Sequence, residues 1–304
     1  LATMMELIFL GTSSMIPTKD RNHTALMLLY KGESILFDCG EGTQRQIRLA
    51  HTSPAKITKL FISHWHGDHV LGIPGLIQTL AASDYKFTLK VYGPKGTSEF
   101  MKKILNAFLC EERINIEVKE ADEGLVEETE DYTVKAIRLM HTAPTLAYCF
   151  EEKEKLKINM EYLKKFGLKG SPLLKELQKG KNITWEGKTI KAKDATIVKP
   201  GRKLSIVLDT GMDALLEKKV VSFAKESDVL VMEATFGDEL EEKAKEYRHM
   251  TSVMSAKIAK KAKVKQLFLT HFSQRYNNVD SLQEQAEKIF KNAHCAKDLQ
   301  RVQI

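Results

Sequence analysis

Ser63-His64-Trp65-His66-Gly67-Asp68-His69 packs three histidines and an aspartate into the six residues from His64 to His69, directly after the apolar run 59–62. An apolar run leading into a helical pattern puts this stretch on a strand-to-helix turn. There, imidazoles and a carboxylate can point into one cavity. Neutral imidazole with carboxylate suits Zn²⁺ and related divalent ions.

One run cannot complete two metal shells, so further ligands are expected at the ends of later strands. His141 follows the strand-like run 133–140, Asp209 follows 204–208, and His271 follows 266–270. Each is the first metal-capable side chain after its run. The donors divide into two sets, His64, His66 and His141 for one zinc and Asp68, His69 and His271 for the other, with the Asp209 carboxylate bridging. Two adjacent ions can acidify a shared water and neutralise charge on a phosphoryl group. His23, His51 and His294 are read as surface residues.

Outward from the histidine run, strand candidates recur at 6–10, 25–30, 34–37, 60–63, 88–92, 132–139, 204–208, 229–232 and 266–270. Helical spacing fills 42–50, 69–81, 97–109, 214–225, 240–246, 252–261 and 281–291 between them. Several strands are too uniformly apolar to face water on either side, which implies sheets covered by helices and an α/β layered architecture.

Segment 151–201 breaks this rhythm with short helical pieces at 160–166 and 173–177, a hairpin signal at 185–190 and lysine throughout. Nothing in it is expected to build a core alone, so it reads as a projecting arm. Residues 151–203 hold 15 Lys or Arg against 7 Asp or Glu, which accounts for the chain's whole net charge of +7. A local basic excess points to an anionic partner more strongly than the total does.

Cys39, Cys110, Cys149 and Cys295 lie far apart with no CxxC pair, so neither a disulfide framework nor a cysteine zinc site is expected. No run of about 18 apolar residues exists, and the expectation is a soluble, cytoplasmic protein with no membrane partner.

The run His64 to His69 resembles the HxHxDH motif of the metallo-β-lactamase superfamily, with His141, Asp209 and His271 matching its later ligand motifs in order. The resemblance implies a four-layer αββα sandwich over residues 4–304, with the site at one edge between the sheets. It leaves the substrate open, because that superfamily includes lactamases, thioesterases, sulfatases, oxidoreductases and nucleases. Further segments resemble the RNase Z family: F-L-G-T at 9–12, P-T-K-D-R-N at 17–22, D-C-G-E-G-T-Q-R-Q at 38–46, E-A-T-F at 233–236, H-M-T at 249–251 and T-H-F-S-Q-R-Y at 270–276.

That resemblance implies a zinc-dependent endoribonuclease that removes the 3′ trailer from precursor tRNA and leaves a 3′-hydroxyl. It implies two Zn²⁺ per subunit, with Mn²⁺ or Fe²⁺ as substitutes, and a homodimer in which one subunit's arm holds the tRNA cut by the other. Asp68 is expected to bind metal and orient the attacking water, and His249 to protonate the leaving 3′-oxygen with Glu233 as its partner. Lys19 and Arg21 are expected to reach the RNA, as are Lys164, Lys165, Lys169 and Lys175 in the arm, with Ser273 and Arg275 against the RNA backbone. Residues 38–46 are read as mainly structural, their polar side chains supporting the site. The arm has Gly167-Leu168-Lys169-Gly170-Ser171-Pro172 where the family pattern is close to GxPxGP, and Leu208 stands where glycine usually precedes the bridging aspartate. The nearest rival is another phosphodiesterase of the superfamily, acting on small esters or as a nonspecific nuclease, and the basic arm and the loop 17–22 argue against it because a small substrate needs neither. A tRNA-binding protein without activity is disfavoured because all seven ligands are present.

Overall fold

A computed structural model gives the fold over residues 5–108 and 114–304. The described chain divides into two compact units. One comprises residues up to Glu128, Val134–Phe150 and Lys203–Ile304, the other Thr129–Thr133 and Glu151–Arg202.

Two seven-stranded sheets organise the larger unit. The first runs in the order Arg301–Gln303, Met5–Gly11, Ala25–Tyr30, Glu33–Phe37, Ile57–Phe61, Thr88–Gly93, Asn115–Glu120. Its first four strands pair antiparallel and the remainder parallel. The second runs Ala293–Cys295, Gln266–Thr270, Val229–Glu233, Lys203–Val207, Thr145–Glu152, Tyr132–Leu139, Gly124–Glu128, and its first four strands are parallel.

Side-chain alternation explains how these sheets pack. Ile8 and Leu10 face a helical layer formed by Thr43–Leu49, Ile73–Ala82 and Thr97–Asn106, sharing a core with Ile47, Leu76 and Met101. Phe9, between them, faces the other way and meets Phe268 of the second sheet with ring centroids 5.6 Å apart. Leu267 and Leu269, flanking Phe268, pack against Ala214–Ala224, Ser252–Ala262 and Asp280–Glu287. Tyr148 and Phe150 of the second sheet likewise reach Phe37, Phe61 and Tyr30 of the first. The layers are therefore helix, sheet, sheet, helix, the αββα sandwich. Each buried aromatic or branched side chain contributes about 1.5–3 kcal/mol.

The helix expected over 69–81 is two pieces, Gly67–Val70 and Ile73–Ala82. Gly72 separates them at a point where a Cβ would lie 2.0 Å from the Gly40 carbonyl oxygen. That close approach lets Gly72 N donate to Cys39 O and Cys39 N donate to His69 O. The stretch beginning at Asp38 is thereby fastened to the histidine run. Cys39, Cys149 and Cys295 are buried and in no disulfide among the described residues, and Cys110 lies outside those residues.

The smaller unit contains a core that the sequence reading did not expect. Leu163, Leu168, Leu177, Ile183 and Ile190 are buried together, with Tyr162, Phe166 and Trp185 packed on them. Its short helices include Met160–Lys164 and Leu174–Gln178, and its strands pair antiparallel, Lys155–Ile158 with the distant Thr196–Lys199 and Ile183–Trp185 with Lys188–Ile190 in a hairpin. The apolar residues are spread thinly along 158–195, so no single window of sequence announces them. Among the described residues no helix is long and apolar enough to cross a membrane.

Candidate metal centre

The site gathers where strands end. Ile57–Phe61 leads into His64, His66, Asp68 and His69, Lys203–Val207 into Asp209, Gln266–Thr270 into His271 and Tyr132–Leu139 into His141. These strands come from both sheets, and their carboxyl ends lie together at one edge of the sandwich, which is why residues far apart in sequence meet there.

Two four-donor groups result, His64, His66, His141 and Asp209, and Asp68, His69, Asp209 and His271. Asp209 belongs to both. Its Oδ2 lies 3.8 Å from His64 Nε2 and 3.7 Å from His141 Nε2, while its Oδ1 lies 3.1 Å from His271 Nε2 and 3.4 Å from His69 Nε2. His66 presents Nδ1 to His141 Nε2 at 3.3 Å, and Asp68 Oδ2 stands 3.3 Å from His271 Nε2. The fold thus brings together the seven side chains that the sequence reading singles out as donors.

Donor chemistry and burial both fit divalent cations. His64 Nε2, Asp68 Oδ1 and Asp209 Oδ1 are buried and find no hydrogen-bond partner among the described residues, an arrangement that costs several kcal/mol per group unless a ligand satisfies it. Burial and the neighbouring His69 hold the His64 imidazole well below the usual histidine range, keeping it in the neutral form that binds metal. Burial opposes ionisation of Asp209, yet His271 and His69 outweigh it and keep the carboxylate charged. His69 shows the complementary effect: burial lowers its pKa, but Asp209, Asp38 and Asp68 together drive it well above the usual value. Three sealed carboxylates around one imidazole demand positive charge.

The surrounding residues fix ring orientation through the second nitrogen of each histidine. His69 Nδ1 lies 2.6 Å from Asp38 Oδ2, His271 Nδ1 2.9 Å from Thr235 Oγ1, His141 Nδ1 3.1 Å from Arg248 O, and His64 Nδ1 3.0 Å from Ser63 Oγ. Asp38 and His271 hold φ of 59° and 61°, a left-handed backbone that non-glycine residues rarely adopt and that persists only where packing over-determines it. The sequence places Asp38 only within a supporting stretch and singles out neither Thr235 nor Arg248. Nothing local in the sequence marks these contacts, since Thr235 is 36 residues from His271 and Arg248 is 107 from His141.

His249 and Glu233 stand beside the cluster. His249 Nδ1 is 3.0 Å from Glu233 Oε1. Burial lowers the His249 pKa, but the adjacent Glu233 carboxylate more than reverses this and raises it to about 9. Thr251 explains the position of His249: its side chain caps Ser252–Ala262 by accepting from Met254 N, and it bridges to Phe236. Glu233, His249 and His271 also lie close enough to form a third donor group. Glu233 is already committed, however, accepting from Thr210 N at 2.7 Å and Thr235 Oγ1 at 2.5 Å. The arrangement is a carboxylate–imidazole pair.

The predicted RNA contacts separate. Lys19 is exposed beside Asp20, and Lys164, Lys165, Lys169 and Lys175 are exposed in the smaller unit. Arg21 is turned inward, only 9 % exposed, with Nη2 donating to the carbonyls of Tyr276 at 2.6 Å and Ser273 at 3.4 Å. Its charge pins the loop to the segment after His271, which corrects the expectation that it reaches phosphate. His23 is likewise buried, with Nε2 3.1 Å from Met15 O.

Over 301 residues the chain is 39 % identical to "Ribonuclease Z" of Methanothermobacter thermautotrophicus, spanning 99 % of this chain and 97 % of that protein. The chain belongs to the ribonuclease Z family. Human tRNase Z, short form, matches at 28 % identity and a TM-score of 0.71 over 98 % of both chains. The metallo-β-lactamase fold protein YhfI of Bacillus subtilis, at 16 % identity and a TM-score of 0.72, shares the fold. A family model described as Anti-Pycsar protein Apyc1 matches residues 5–156. That stretch holds His64 to His69 and His141 and ends before Asp209, Glu233, His249 and His271, whereas the ribonuclease Z matches span them all.

Proposed function

We propose that this chain is a zinc-dependent endoribonuclease that cuts precursor tRNA after the discriminator nucleotide, releasing the 3′ trailer and leaving a 3′-hydroxyl on the tRNA. The observation that carries the reading is the seven-donor cluster, with Asp209 in both four-donor groups, in a chain of the ribonuclease Z family. His64, His66, His141 and Asp209 would hold one Zn²⁺, and Asp68, His69, His271 and Asp209 the other, with Mn²⁺ or Fe²⁺ as substitutes. Such ions supply Lewis acidity toward phosphoryl oxygens and a water acidic enough to ionise near neutral pH.

This chain's residues do the rest. Asp68, whose Oδ1 has no partner among the described residues, orients the attacking water and accepts its proton. His249, held in its charged form by Glu233, donates a proton to the departing 3′-oxygen. Proton acceptor and donor sit on separate segments around one cavity of about 500 Å³, whose lining includes Asp68, Asp209 and His249.

The lysine-rich smaller unit is proposed to hold the tRNA by its phosphates, through Lys164, Lys165, Lys169 and Lys175, with Lys19 near the 3′ end. An enzyme that accepts many tRNAs must read shared shape and charge. A homodimer that pairs one subunit's arm with the other's site is proposed from the family resemblance. Exposed Leu105 and Phe108, lining a surface hollow with Pro74 and Ile77, are apolar surface available for such a contact. The cytoplasm, where precursor tRNA is met, is the proposed location.

The test uses an end-labelled precursor tRNA with a short trailer beside a small aryl phosphodiester. A single cut next to the discriminator, lost when the four arm lysines are changed to alanine while the ester is still hydrolysed, supports the reading. Hydrolysis of the ester with precursor tRNA left untouched by the wild-type protein would keep the metal chemistry and overturn the substrate.

A further inference from the structure

The cavity over the metal cluster has one wall that the chemistry above does not use. Met15 and Ile16, 56 % and 51 % exposed, line it, as does Tyr247, 50 % exposed. Large apolar side chains gathered at the rim of a catalytic cavity gain nothing for the fold by facing water, and such patches mark binding surfaces. Cations accompany them. Lys243 Nζ lies 5.9 Å from the Tyr247 ring centroid, and the Arg275 guanidinium lies 5.1 Å from the Phe236 ring centroid, both residues lining the same cavity. Glu246 adds a carboxylate to that lining.

Tyr247 is the last residue of the helix Glu241–Tyr247, and the chain then passes through left-handed Arg248, φ 56°, directly into His249. The position of His249 fixes which part of the RNA lies here. A donor to the departing 3′-oxygen must face the ribose that keeps that oxygen, which belongs to the nucleotide 5′ of the cut. An enzyme acting on many tRNAs cannot depend on one base edge, and an aromatic face accepts any base because every base has a π surface.

We propose that Tyr247 is the stacking platform for the nucleobase immediately 5′ of the cleaved phosphate, with Met15 and Ile16 as the apolar side of the pocket and Lys243 paired to an adjacent phosphate. This rests on the ribonuclease reading and on His249 as proton donor. Tyr247 thereby sets where along the RNA the scissile phosphate stops.

The experiment is a cycle between protein and substrate. Wild-type protein, Tyr247→Phe, Tyr247→Leu and Tyr247→Ala are assayed on precursor tRNA that is intact or abasic at the nucleotide 5′ of the cut. On intact substrate, Tyr247→Ala and Tyr247→Leu are expected to lower kcat/KM roughly tenfold or more, while Tyr247→Phe stays near wild type. On the abasic substrate the wild-type protein loses a similar factor and the Ala and Leu variants lose nothing further. A tRNA ending at this position in 2-aminopurine gives a readout without cleavage, its fluorescence quenched on binding to wild type and Tyr247→Phe and unquenched with Tyr247→Ala. Equal losses by Tyr247→Ala on intact and abasic substrates, or quenching unchanged by that substitution, would overturn the stacking role and leave the ribonuclease reading standing. Failure of wild-type protein to cut the intact precursor would overturn both.

Discussion

His69 sets Nδ1 2.6 Å from Oδ2 of Asp38, and neither side chain reaches solvent. Asp38 also accepts from Ser63 N at 2.6 Å and Ser63 Oγ at 2.7 Å, and that hydroxyl stands 3.0 Å from His64 Nδ1. One carboxylate therefore orients a donor in each four-donor group, His69 directly and His64 through Ser63. Asp38→Asn keeps the size and removes the charge. It is expected to weaken metal binding or activity by about 10–100-fold, measured by competition against a chelating dye. Wild-type affinity and activity in the variant would limit Asp38 to holding the turn.

Glu233 and His249 make a different prediction, because His249 lines the cavity where the leaving group is proposed to sit and buried Glu233 acts through it. His249→Ala is expected to lower kcat by roughly 10²–10⁴ with bound metal unchanged. A substrate whose departing 3′-oxygen is replaced by sulfur needs no proton to leave, so it should recover most of that loss. Glu233→Gln should fall between, since the imidazole remains but loses the carboxylate that keeps it charged. Loss of metal from His249→Ala, or no recovery with sulfur, would remove His249 from the proton donor's role.

The seven donors were readable in the sequence for a physical reason: each of the later ones closes a strand, and strand ends converge. His141, Asp209 and His271 each follow an apolar run, and the sandwich brings those ends to one edge. The residues that hold the donors in place were harder to read, because Asp38, Thr235 and Arg248 reach their histidines only through tertiary contacts. Asn115–Glu120 escaped as a strand because four of the six residues in N-I-E-V-K-E are polar and its position is at the sheet's edge. Thr145–Glu152 escaped because it is buried on both faces in its first six residues and so shows no alternation. Arg21 illustrates a further limit: a basic residue in a polar loop reads as solvated, and only the fold reveals the carbonyls that draw it inward.

Asp209 tests the two-ion arrangement itself. A carboxylate shared by both groups should affect both when removed, whereas a donor in one group should affect one. Asp209→Ala is expected to lose both ions and His271→Ala one, counted by elemental analysis of the purified variants. Chelation of the wild-type protein should abolish cleavage and lower Tm, and Zn²⁺ should restore both, because an ion that binds only the folded state stabilises it. Equal metal content in the two variants would argue against the bridging position.

Asp298 lies outside the metal cluster and ties three of the sequence motifs together. Its Oδ1 accepts from Thr12 Oγ1 at 2.8 Å, and its Oδ2 from Asn22 N at 2.7 Å and Gln46 Nε2 at 3.0 Å. Burial raises its carboxyl to about 6, although the hydrogen bonds from Asn22 and Thr12 pull the other way. A carboxyl raised in the folded state binds its proton more tightly there than in the unfolded chain. Its contribution to stability is thus fully present below the ordinary aspartate value and is lost as pH rises through about 6. Asp298→Asn lacks that titration and should gain on wild type between pH 5 and pH 7.5, by on the order of 1 kcal/mol once partial exposure is allowed for. Denaturant unfolding of the chelated proteins at the two pH values isolates this difference from the metal site. A variant that instead loses ground as pH rises would mean that the charged carboxylate, through Asn22 and Gln46, stabilises the fold by more than burial costs it.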